Sequence, residues 1–142
     1  MKLLNKKQKN NKGFSLVELI VVIAIMVVLV AVLAPVFTRY IESSRRATDV
    51  QNTNSIAEGV LSDVADGKTY EGRTEAKSGV PTVIKDDIKS KGDKVGKNQS
   101  FYFVYDKNTN KCAVYVGEDT KYDLTQEGSE TDDTGAAGYK KQ

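Results

Sequence analysis

From residue 13 to residue 37 the chain reads GFSLVELIVVIAIMVVLVAVLAPVF, and between Leu19 and Ala34 it has no polar residue. About 20 apolar residues in a helix cross the hydrocarbon core of a bilayer, so residues 14–37 predict a membrane-spanning helix. Only Ser15 and Glu18 interrupt it, both near its start. An acid costs about 2.5–3.5 kcal/mol at the centre of such a helix and less near its end, which makes Glu18 a functional candidate. Pro35 has no N–H and crowds the carbonyl one turn earlier, so a kink or local unwinding is predicted there.

Beyond residue 37 the period changes. Val36/Phe37, Tyr40/Ile41, Ala47, Val50, Ile56/Ala57, Val60/Leu61 and Val64 recur mostly at three- to four-residue spacing, which predicts one apolar stripe on a continuing amphipathic helix. Arg39, Glu42, Arg45, Arg46, Asp49 and Glu58 fall largely off that stripe, and the Arg45-Arg46 pair reads as a solvated anchor at the membrane exit. Gly59 is a weak point costing up to ~1 kcal/mol in a helix interior. Gly67 followed by Lys68 supplies the stop. Residues 38–67 therefore form a half-helix that needs a sheet to lie on.

Residues 69–79 read as a surface loop. Val80, Ile84 and Ile88, four apart, predict a short helix with Pro81 in its first turn. Residues 101–105 and 112–116 are rich in aromatic and β-branched side chains and enclose Asp106-Lys107-Asn108-Thr109-Asn110-Lys111, so an antiparallel hairpin over residues 101–116 is predicted. Alternation puts Phe101, Phe103 and Tyr105 on one face, and Cys112, Val114 and Val116 on one face of the partner strand. A hairpin alone is marginal, and residues 121–124 are the candidate third strand. Residues 128–142 show no periodicity and little that is apolar except Tyr139, which predicts a flexible acidic tail.

Charge sharpens the division of the chain. The formal charge is +2, but Lys2, Lys6, Lys7, Lys9 and Lys12 all precede the apolar run, so the chain beyond residue 13 holds 16 bases against 19 acids, a net −3. The basic flank keeps the N-terminus cytoplasmic and sends the remainder outward. A mildly acidic body offers no footprint for nucleic acid. With one cysteine and no histidine there is no internal disulfide and no Cys/His metal cluster.

Lys12-Gly13-Phe14-Ser15-Leu16-Val17-Glu18-Leu19, followed by the apolar run, resembles the prepilin signature of the type IV pilin family. The resemblance covers roughly the first third of the chain. It implies that residues 1–13 are a basic leader cut after Gly13 by a prepilin peptidase. Phe14 would be the new, N-methylated terminus, Glu18 the acid that supports filament assembly, and Pro35 the helix-kinking proline. It further implies an α+β, type IV pilin-like fold: a long N-terminal helix, membrane or filament core over residues 14–37 and amphipathic over 38–67, packed on a small antiparallel sheet in the globular part, residues 68–142. Many Gram-negative members close their C-terminal region with a disulfide; the lone Cys112 departs from this and points to a Gram-positive source.

No side-chain set for catalysis stands out, so the chain is not expected to be an enzyme, and neither a cofactor nor a metal is expected. Cys112 opens a strand pattern and reads as a buried, inert thiol. The acidic set Glu118, Asp119, Asp123, Glu127, Glu130, Asp132 and Asp133 could offer oxygen ligands to Ca²⁺, but lacks ordered ligand spacing and reads as a solvated loop. The expected function is a pilus subunit. It would be held in the cell membrane with its N-terminus inside and its C-terminus outside, then packed into a homo-oligomeric extracellular filament. Membrane lipid, the prepilin peptidase and the assembly machinery would be its partners. The alternatives are a pseudopilin of a type II secretion or DNA-uptake system, and a minor or tip pilin acting as an adhesin.

Overall fold

A computed structural model describes residues 13–118, 120–128 and 134–141. The elements run α1 (Leu16–Ala65), β1 (Arg73–Ala76), β2 (Phe101–Asp106), β3 (Lys111–Val116) and α2 (Gly135–Lys140). The chain divides into two compact units, Met1–Phe37 and Thr38–Gln142.

In the first unit, the large apolar side chains from Phe14 to Phe37 are exposed, and none of the most apolar 18-residue window is buried. Pro35 lies inside α1, which continues beyond it.

The second unit is an α+β domain in which residues 38–65 of α1 pack on a three-stranded antiparallel sheet ordered β1-β2-β3. The predicted hairpin is present, with Phe101 opposite Val116, Phe103 opposite Val114 and Tyr105 opposite Cys112. Those six side chains share the inner face: five are buried and Tyr105 is half-buried. Ile56 and Val60 of α1 join the same core, both fully buried. The helix ends as its sequence predicts. Gly67 adopts φ +90°, and the N–H groups of Gly67 and Lys68 donate to the carbonyls of Val64 and Asp63, which satisfies two of the carbonyls left open at a helix end.

Four expectations need correction. The third strand is not residues 121–124, of which only Asp123 bridges to Tyr115. It is β1, drawn from the presumed surface loop and paired to β2 from Arg73 opposite Val104 to Ala76 opposite Phe101. An edge strand with one buried side chain, Ala76, carries almost no apolar alternation. The short helix at Val80 to Ile88 is absent. Val80 bridges Lys77, and Gly79 N–H donates to the Ile84 carbonyl at 2.6 Å, so an irregular turn delivers Val80, Ile84 and Ile88 to the core instead.

Nor is the C-terminal segment a loose acidic tail where it is described. Gly135, Ala136, Gly138 and Tyr139 are buried in α2, and the Tyr139 ring packs edge-on against Tyr122, 5.7 Å between centroids. The remainder of that predicted tail, residues 129–133 and 142, lies outside the described residues. Finally, the buried face of α1 is not the purely apolar stripe. It consists of Arg46, Asp49, Val50, Thr53, Ile56, Gly59, Val60 and Asp63, whereas Tyr40 is exposed and Leu61 partly so.

Each buried charge on that face is met. Asp49 Oδ1 accepts from Lys91 N–H at 2.8 Å, and Oδ2 accepts from Gly92 N–H at 2.8 Å and from the Tyr139 hydroxyl at 2.7 Å. Arg46 donates to Glu42 Oε1 at 3.2 Å, Asp93 Oδ1 at 2.6 Å and the Lys141 carbonyl at 2.7 Å. Asp63 Oδ2 accepts from the Tyr70 hydroxyl at 2.5 Å and Thr82 N–H at 2.8 Å, while Oδ1 faces Lys68 Nζ at 3.2 Å. Burial disfavours the Asp63 anion, but these donors outweigh it and hold the carboxyl well below its usual range. Burial and the bond to Asp63 push Tyr70 up to about 12.

Gly59, a weak point as an isolated helical residue, has a packing reason. A Cβ there would lie 2.4 Å from Val83 Cγ1 and 3.0 Å from Pro81 Cγ, so only glycine admits that turn against the helix.

Candidate processing and assembly site

Gly13, Phe14 and Glu18 lie together at the start of α1. Nothing approaches within 4 Å of where a Gly13 side chain would begin, and Phe14 is 92% exposed. A peptide bond between two such residues, ahead of the helix, is open to an enzyme.

Helical structure begins at Leu16, so Ser15 is the flanking cap residue; its carbonyl accepts from Leu19 N–H at 3.2 Å. Glu18 Oε2 turns back to accept from Ser15 N–H at 2.8 Å. A glutamate three residues past a cap serine, bonded to the cap N–H, is one half of a capping box, and its charge also suits the positive end of the helix. Neither the cost of an acid in lipid nor the family resemblance points to this local duty; its signal is the Ser-x-x-Glu spacing ahead of an apolar run. Among the described residues no Lys or Arg forms an ion pair with Glu18. Its second oxygen can therefore take another donor, such as a charged amine.

Pro35 stands apart from this group, later in the same helix. Cys112 is buried, and burial, with Asp123 nearby, pushes its thiol up to about 12, which makes it a poor nucleophile. Of the acidic set, Asp119, Glu130, Asp132 and Asp133 lie outside the described residues. Asp123 spends its oxygens on Thr125 N–H at 3.1 Å, the Thr125 hydroxyl and Gln126 Nε2 at 2.7 Å. Among the described residues no group of three or more His, Cys, Asp or Glu could hold a metal ion.

Residues 8–34 match the family model of the prokaryotic N-terminal methylation motif. No curated protein and no solved structure matches the chain. The motif is the type IV pilin and prepilin signature. It implies processing by a prepilin peptidase, supports a membrane-anchored precursor, and points to a structural subunit rather than an enzyme.

Proposed function

We propose, from the type IV prepilin signature that this chain carries at residues 8–34, that it is the structural subunit of an extracellular type IV pilus. The observation that carries the reading is the wholly exposed apolar segment over residues 14–37, most of which the motif itself includes. In a membrane, lipid covers those side chains; in a filament, the same segments of other copies do.

The proposed sequence begins with the precursor in the membrane, N-terminus inside. Cleavage after Gly13 leaves an amine on Phe14, which is then methylated. Glu18 of one subunit neutralises the Phe14 amine of a neighbour as both leave water, and this fixes the axial register. The unit from Thr38 onward forms the outer coat. A pseudopilin of a secretion or DNA-uptake system would share the first steps, and a minor or tip pilin would share them all but appear in traces.

Mass spectrometry of material sheared from cells tests this. The expected product is abundant and begins at Phe14 with one added methyl group. Surface material that begins at Met1 or at Pro35 overturns the processing step, and trace amounts favour the pseudopilin or tip-pilin readings.

A further inference from the structure

The loop joining β1 to β2 carries a feature that neither cleavage nor packing uses. Arg45, Ser90, Lys91, Lys97 and Asn98 line a surface hollow of about 340 Å³. Three of the five are cationic and none is acidic. The charge is local, since the chain beyond residue 13 is net acidic.

The hollow has a built floor. Ser90 is buried; its N–H donates to the Gln99 carbonyl at 3.0 Å, and its carbonyl accepts from Asn98 N–H at 3.0 Å. The Ser90 hydroxyl donates to the Gly96 carbonyl at 3.0 Å and accepts from Gln99 N–H at 3.0 Å. Asp49 holds Lys91 N–H and Gly92 N–H from the helix side. The backbone beneath both lysines is thus fixed from two directions.

The side chains above it are not spent. Among the described residues no carboxylate forms an ion pair with Lys91 or Lys97. Arg45 reaches only Glu42, at 3.8 Å and with its side chain 45% exposed, while the other Glu42 oxygen serves Arg46 and Asp93 N–H.

We propose that this hollow binds a phosphate-bearing anion, with Arg45, Lys91 and Lys97 supplying charge and the side-chain amide of Asn98 a neutral donor. A guanidinium and two ammonium groups around one hollow suit a tetrahedral oxyanion with several acceptor oxygens. Among the described residues no aromatic lines it, so they offer no platform for stacking bases, and the phosphate is the group they suit. That phosphate is free in solution or the headgroup of an anionic lipid. The inference stands whether or not the chain assembles into filaments.

The test uses the full chain in nanodiscs, followed by the amide NMR signals of Lys91, Gly92 and Asn98 at constant ionic strength. In phosphatidylcholine discs, inorganic phosphate is titrated against chloride; separately, phosphatidylglycerol replaces part of the lipid without added phosphate. Saturable shifts in the first arm assign free phosphate, and shifts in the second assign the headgroup. In either, the double variant K91Q/K97Q weakens binding about tenfold or more, while K107Q in the β2–β3 turn leaves it unchanged. Unaltered thermal melts establish that both variants fold. No saturable shift in either arm, or equal loss in K107Q, overturns the proposal.

Discussion

The two halves of α1 make opposite use of one helix. Before residue 38 nearly every side chain is apolar and none is buried; after it, half of the eight buried residues are polar or charged. Hydrophobicity by itself therefore does not say what a segment packs on within its own chain. Among the described residues nothing buries the first half, whose cover in the proposed function is lipid or other subunits. The second half finds its partner in the sheet and in the loops around it, and its polar residues decide where each loop docks. Arg46 and Asp49 hold residues 91–93 and the C-terminal helix, and Asp63 holds Tyr70 and Thr82.

Breaking the first half should give the largest effect. Replacing Glu18 by Ala removes an acid from an apolar helix, so the subunit should insert and be cut, yet few filaments should form. Leaving one partner of a buried charge pair unmatched costs about 3–5 kcal/mol, and the penalty recurs with each subunit added. Replacing Glu18 by Gln separates charge from capping, because Gln can still accept from Ser15 N–H. Assembly lost in both variants, measured by fractionation into membrane and sheared pools, supports charge neutralisation. Assembly retained in Gln alone would make capping the essential duty.

In the second half, Val60→Asp should lower stability by about 4 kcal/mol, because it places an unpaired charge in a fully buried position. Leu61→Asp, one residue on but 37% exposed, should lower it by about 1 kcal/mol or less. Thermal melts that gave equal losses would show that the helix packs in a different rotation. Asp49→Ala should lower stability by about 3 kcal/mol, since it strands two backbone donors and the Tyr139 hydroxyl. Amide exchange should then speed at residues 91–92 and in α2, with the residues before 38 unaffected.

The smallest effect is one of pH. The Asp63 carboxyl is depressed in the fold, so its contribution is fully present above the unfolded value near 4 and is lost as pH falls from there towards the folded value. Melts compared at pH 7 and pH 3 should show a fall that is smaller in Asp63→Asn. An equal fall in the variant would assign acid sensitivity to other carboxylates.

What the sequence disclosed follows from what kind of signal each element carries. The hairpin was legible because Phe101, Phe103, Val114 and Val116 alternate with half-exposed neighbours around a turn rich in Asn and Asp. The stop at Gly67 was legible because few other residues adopt that backbone. β1 was not, since pairing through backbone groups alone leaves little mark on Arg73-Thr74-Glu75-Ala76. The polar share of the buried helix face was also hidden. Arg46, Asp49 and Asp63 look like surface residues until partners from 19 to 95 positions away are known. At the candidate site the motif gave Gly13, Phe14 and Glu18 by resemblance. The Ser15–Glu18 bond has its own signal in residues 15–18, the Ser-x-x-Glu spacing of a capping box, which the cost of an acid in lipid does not convey.

Tyr139 and the Lys141 carbonyl close on Asp49 and Arg46 across 90 and 95 positions of chain. A polypeptide is made from its N-terminus, so α1 is complete long before the residues that seal its charged face exist. Until residues 139–141 are free of the ribosome, that face lacks those two contacts. A chain that stops before Tyr139 lacks that hydroxyl and the Lys141 carbonyl, and its helix is left with charges turned towards a core that cannot shut.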